Sequence, residues 1–155
     1  EVQFHVVGDE WLKYCEEDPD LPRDVRLLEV QTATYDTKRK LIVLFGYSGR
    51  PDIMYAIKGM MNYGVANGLT PEQVDAYVTE ETVGMYMLSR EVGDVDMVIR
   101  TGEAEGEAHW SQCLLAWWMQ KTEFFFTPTL LPAFTVGELH RMFEEYKTRR
   151  KLNGK

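Results

Sequence analysis

The chain has 155 residues, of which 45% are hydrophobic, and a formal net charge of −8. That length suits one domain and that apolar fraction suits a packed core, so disorder is not expected. The acidic balance argues against a broad nucleic-acid surface, and no apolar run approaches the roughly 20 residues of a membrane span.

In chain order, residues 2–7 alternate loosely and end at Gly8, which predicts a buried parallel strand feeding a turn. His5 in this strand reads as a satisfied core or edge histidine. The chain opens inside this strand without an initiator Met, and the expectation is the C-terminal part of a longer protein. Residues 9–20 read as an acidic loop, with at most a short helix around Trp11 to Tyr14. From Pro22, the apolar positions Val25, Leu28, Thr32 and Tyr35 recur at three and four, an amphipathic helix. A basic turn at residues 37–40 precedes a continuous apolar run, residues 41–45, typical of a central parallel strand. Gly46-Tyr47-Ser48-Gly49-Arg50 is the loop after it, and Pro51 suits the first position of a helix over residues 52–63.

Thr70-Pro71-Glu72-Gln73 is a capping box opening a helix to about Val78, and another helix is predicted over residues 80–89. Gly93 breaks the chain. Residues 96–99 then read as a short buried strand that Arg100 stops. A Gly- and Glu-rich loop follows, and an apolar helix is predicted to begin near Ser111. Thr135-Val136-Gly137-Glu138 is a second capping box. The last helix turns Leu139, Met142, Phe143 and Tyr146 to the core and ends in Lys147, Arg149, Arg150 and Lys151. Three strands alternating with helices predict an α/β fold, a parallel sheet flanked by helices and incomplete in this chain. Cys15 and Cys113 have no metal or redox spacing, so a reduced cytoplasmic protein is the default.

Two residues carry candidate chemistry. Ligands of open α/β sheets sit beyond the carboxyl ends of the strands. Arg100, placed there before a flexible polar loop, suits an anionic ligand such as a diphosphate, or else an ion pair with a loop glutamate. Glu123 is a carboxylate between Trp/Met-rich sequence and Phe124-Phe125-Phe126. It requires a metal, a donor, or a cation such as Lys121 or an arginine.

These residues also carry a resemblance. Ile99-Arg100-Thr101, Gly102-Glu103, Ser111, Leu114-Leu115, Trp117, Glu123-Phe124-Phe125, Pro132-Ala133-Phe134 and Arg149-Arg150 follow the order and spacing of a known signature. It is that of cis-prenyltransferases (Z-isoprenyl diphosphate synthases), and Gly46 to Arg50 is similar to that family's Asn-Tyr-Gly-Gly-Arg strand end. The resemblance implies one domain whose C-terminal part is residues 1–155, with the Asp-Gly-Asn-x-Arg segment that bears the catalytic aspartate absent. It implies condensation of an allylic diphosphate with isopentenyl diphosphate. The substrate-binding residues would be Arg100, Glu103, His109, Trp110 and Ser111, with Glu123 on Mg²⁺. A homodimer or a heteromer is implied as well, with peripheral membrane contact an open point. Tyr47 and Arg50 would shape the site floor or a subunit contact.

The sequence departs from that pattern in three ways. The loop between Glu103 and Ser111 is longer and acidic, with Glu105 and Glu107. His109 stands at the family's second arginine, a loss of bidentate donors. Ser111 lies twelve residues before Glu123 instead of eleven, a rotation of roughly 120° on a regular helix. A π-bulge would absorb it, or Gln112 would replace the serine. These departures leave a second reading, a non-catalytic subunit supporting an active partner.

Overall fold

The computed structural model describes residues 1–8, 15, 18–103 and 113–149. Chain contacts divide it into two compact units, Glu1–Val92 with Gln112–Leu115, and Gly93–Ser111 with Ala116–Lys155.

In the first unit, β1 (Gln3–Val7) pairs in parallel with β2 (Lys40–Leu44), from Gln3 opposite Lys40 to Val7 opposite Leu44. Parallel neighbours need a crossover, and α1 (Leu21–Ala33) supplies it, with Pro22 in its first turn as predicted. Two α1 side chains bond the outer edge of β1. The Phe4 amide donates to Thr32 Oγ1 at 3.0 Å and the Val6 amide to Glu29 Oε1 at 2.8 Å. Among the described residues, this edge of β1 is thus closed by a helix. Thr32 is buried for this reason, its hydroxyl donating in turn to the Leu28 carbonyl. His5 departs from expectation: its Nε2 is buried with no hydrogen-bond partner among the described residues.

α2 (Gly49–Ala66) starts earlier than the helix predicted from residue 52, with Ser48 as its N-cap. A Cβ at Gly49 would stand 1.9 Å from the Cys113 carbonyl oxygen, so only glycine lets the two backbones meet there. α3 (Pro71–Tyr77) keeps its predicted capping box, and α4 (Glu80–Tyr86) has one of its own from Thr79 and Thr82. α4 was expected to reach Ser89 but stops at Tyr86, and a 3₁₀ turn follows at Leu88–Glu91. The cause is Asp52, whose carboxylate accepts the Leu88 amide at 2.7 Å and the Ser89 amide at 3.4 Å. Gly59 leaves room for the Tyr86 ring against α2, and Tyr77 stacks on Tyr63 at 4.7 Å.

In the second unit, β3 (Met97–Thr101) runs parallel to β4 (Glu123–Thr127). Three corrections follow. Arg100 is a strand residue, opposite Phe126, and does not end the strand. Glu123 opens a fourth strand instead of closing a helix. The residues before it, 113–118, are turns, with Cys113 at φ 51° and Leu115 at φ 48°, which no regular α-helix contains. The predicted helical phase between Ser111 and Glu123 therefore does not apply. α5 (Val136–Thr148) follows the Thr135 capping box and buries Met142, while Phe143, expected in its core face, is exposed. No helix among the described residues is long and apolar enough to cross a membrane.

Candidate functional site

The charged centre of the second unit begins with a turn. After β3, Gly102 adopts φ 83°, a conformation that costs a side-chain-bearing residue on the order of 1–2 kcal/mol. Its amide donates to the Thr129 carbonyl at 2.9 Å and the Glu103 amide to the Thr127 carbonyl at 3.0 Å. The turn is thereby pinned to the end of β4, and it folds Glu103 back onto Arg100. Arg100 Nη2 lies 2.6 Å from Glu103 Oε1, with the side chains 22% and 21% exposed. This is the ion pair with a loop glutamate that the sequence allows.

At the other end of the sheet pair, β4 begins with Glu123. Its Oε2 is 3.2 Å from Arg149 Nη1, the first residue beyond α5, with side chains 25% and 31% exposed. Arg149 also donates to the Phe124 carbonyl at 2.9 Å and to Glu145 Oε1 from Nη2 at 2.7 Å and from Nε at 3.2 Å. Its guanidinium carbon lies 3.9 Å from the Phe125 ring centroid. Glu145, then Glu123, holds the Arg149 pKa above its ordinary value against the opposing effect of burial. The cation that Glu123 requires is thus an arginine. Sequence reasoning named that possibility but not the residue, because the pairing depends on where α5 ends.

Could Glu123 hold a metal? The Arg149 guanidinium already pairs with that carboxylate, and a metal ion would have to displace it. No group of three His, Cys, Asp or Glu residues able to hold a metal exists among the described residues. Magnesium is usually bound through one or two carboxylates, with substrate phosphates and water completing the shell. A single carboxylate such as Glu123 is the donor type that such a shell uses. His109, Trp110 and Ser111 lie outside the described residues.

The first unit holds a polar centre that the sequence reading passed over. Asp52, in the first turn of α2, has no exposed surface. Besides the Leu88 and Ser89 amides, it accepts the Ser89 hydroxyl and, at 2.8 Å, the Tyr47 hydroxyl. Burial first, and the bond to Asp52 second, push the Tyr47 phenol well above its usual range, while the Leu115 backbone bond opposes them. A carboxylate three residues after a glycine at a helix start was the available signal. Tyr47 thus joins the β2–α2 loop to Asp52, while Arg50 is exposed.

The comparisons with known proteins agree with this fold. The family model of undecaprenyl diphosphate synthase matches residues 1–154. An isoprenyl transferase of Wolinella succinogenes is 34% identical over 153 residues, covering 99% of this chain and 58% of the relative. The (2E,6E)-farnesyl-diphosphate-specific ditrans,polycis-undecaprenyl-diphosphate synthase of Coxiella burnetii is 31% identical, covering 99% of this chain and 59% of that protein. The crystal structure of lavandulyl diphosphate synthase from Lavandula x intermedia, in complex with dimethylallyl diphosphate, superposes with a TM-score of 0.75 at 22% identity, covering 99% of this chain and 61% of that one. The chain therefore spans about three fifths of the length of these three proteins.

Proposed function

This chain belongs to the undecaprenyl diphosphate synthase family of cis-prenyltransferases, and from that premise we propose that its protein elongates an allylic isoprenoid diphosphate with isopentenyl diphosphate. The acceptor double bond forms a carbon–carbon bond to the allylic carbon as the allylic diphosphate departs, and a proton is then lost, giving a longer (Z)-polyprenyl diphosphate.

The observation that carries this reading is Arg100, held at the carboxyl end of a parallel strand by a glycine turn. An arginine so placed can exchange one carboxylate, Glu103, for a diphosphate, gripping its oxygens with two parallel N–H bonds. Glu103 then keeps the guanidinium aimed while the site is empty. His109, Trp110 and Ser111 complete the acceptor site in this proposal. Divalent-metal use is a family property; we take the ion to be Mg²⁺, which offsets charge on the departing diphosphate, and Glu123 to be its protein ligand. The protein works as a cytoplasmic homodimer in this account.

The test is incorporation of isopentenyl diphosphate into chain-extended product by the protein that contains this chain, with and without an allylic diphosphate. Product that requires both supports the reading. The second reading, a subunit without activity, draws support from the two charged residues being already neutralised inside the chain. It predicts no product alone and faster turnover of an active partner.

A further inference from the structure

We infer that Arg149 sets the affinity of the Glu123 carboxylate for a divalent ion, by occupying that carboxylate when the metal is absent; the inference rests on the reading of Glu123 as a metal ligand. Four facts support it. Arg149 reaches Glu123 Oε2 at 3.2 Å. It is anchored independently of Glu123, through Glu145 at 2.7 and 3.2 Å and the Phe124 carbonyl at 2.9 Å. Its guanidinium lies against the Phe125 ring. Lastly, it stands at the end of α5, where the helix has already released the chain.

The contrast among these bonds matters. The bonds to Glu145 tie Arg149, just beyond α5, to the last turn of that helix four residues back. The bond to Glu123 is single, at 3.2 Å, and made to another element. A metal ion arriving at Glu123 therefore displaces one contact of a guanidinium that keeps its other anion. The cation is exchanged without leaving an unpaired charge, which in a part-covered site would be costly. Arginine suits this role and lysine does not, because a planar fork can hold two carboxylates and a carbonyl at once.

The experiment is a titration of the full chain with Mn²⁺ alone, reading free ion by electron paramagnetic resonance. It compares the unaltered chain with Arg149→Gln, Arg149→Lys, Glu123→Gln and Glu123→Gln/Arg149→Gln. Circular dichroism checks each variant for folding. Arg149→Gln should tighten Mn²⁺ binding about three- to fivefold, the size of a part-exposed ion pair removed. Arg149→Lys should tighten it less, and Glu123→Gln should weaken it in both backgrounds. If Glu123→Gln leaves binding unchanged, the metal-ligand reading itself fails. If Glu123→Gln weakens binding but neither Arg149 variant tightens it, that reading stands and the inference about Arg149 is overturned. Should Arg149→Gln not fold, Arg149→Lys alone decides the second point.

Discussion

The Tyr47 hydroxyl donates to Asp52 Oδ2 at 2.8 Å, and that carboxylate, with no exposed surface, also accepts the Leu88 and Ser89 amides and the Ser89 hydroxyl, all neutral donors. Asp52 therefore ties the β2–α2 loop to the turn after α4. Asp52→Ala would leave several buried donors without acceptors at roughly 1–3 kcal/mol each. Asp52→Asn should cost less, about 2 kcal/mol, since an amide keeps one acceptor oxygen. Denaturant titration of the two variants checks the order; equal stability of Asp52→Ala and the unaltered protein would contradict it.

The burial of Tyr47, together with this bond, has a consequence at alkaline pH. The folded Tyr47 phenol is held well above its unfolded value of about 10. The folded state therefore binds its proton more tightly than the unfolded state does. The corresponding stability is complete below about pH 10 and declines as pH rises above that. Tyr47→Phe should show a shallower alkaline loss of stability than the unaltered protein, measured by unfolding at pH 8, 10 and 11. Parallel curves would exclude Tyr47 as the source.

Gly102 positions Arg100 through its left-handed turn. Gly102→Ala should cost on the order of 1–2 kcal/mol, and its Cβ would meet Leu130 Cδ2 at 3.0 Å. Beyond the stability loss, the variant should loosen Glu103 and weaken binding of inorganic diphosphate. Thermal unfolding and calorimetric titration read the two effects separately.

His5 offers a gain instead of a loss. Its Nε2 is buried without a hydrogen-bond partner among the described residues, an unfavourable arrangement for a polar atom. His5→Leu should raise the unfolding midpoint, by an amount on the order of 1 kcal/mol. A lower midpoint would mean that the imidazole is held by a contact that leucine cannot replace.

Much of this arrangement is legible in the sequence. Strand β1 announced itself by loose alternation, β2 and β3 by apolar runs, and α3 and α5 by capping boxes whose side-chain bonds are present. β4 was not legible, because Glu123 followed by three phenylalanines carries neither alternation nor a turn signal ahead of it. The left-handed residues Cys113 and Leu115 cannot be read from types that avoid that conformation. Arg100 was found as a candidate because its strand was found. Asp52 was missed because its role lies in a contact with residues 36 and 37 positions away. Arg149 was seen only as one of a basic run, and its pairing with Glu123 spans 26 positions.

The central claim is that Arg100 holds the acceptor diphosphate and Glu123 the metal, as separable functions. The most direct measurement is a two-way titration of Mg²⁺ against isopentenyl diphosphate in the protein containing this chain, with Arg100→Ala and Glu123→Gln. Arg100→Ala should raise the KM for isopentenyl diphosphate by an amount equivalent to about 1.5–3 kcal/mol, a lost charge-assisted contact, with the Mg²⁺ midpoint unmoved. Glu123→Gln should lower turnover and raise the Mg²⁺ midpoint with the fold intact. An unchanged Mg²⁺ midpoint in Glu123→Gln, or an unchanged acceptor KM in Arg100→Ala, would contradict the account.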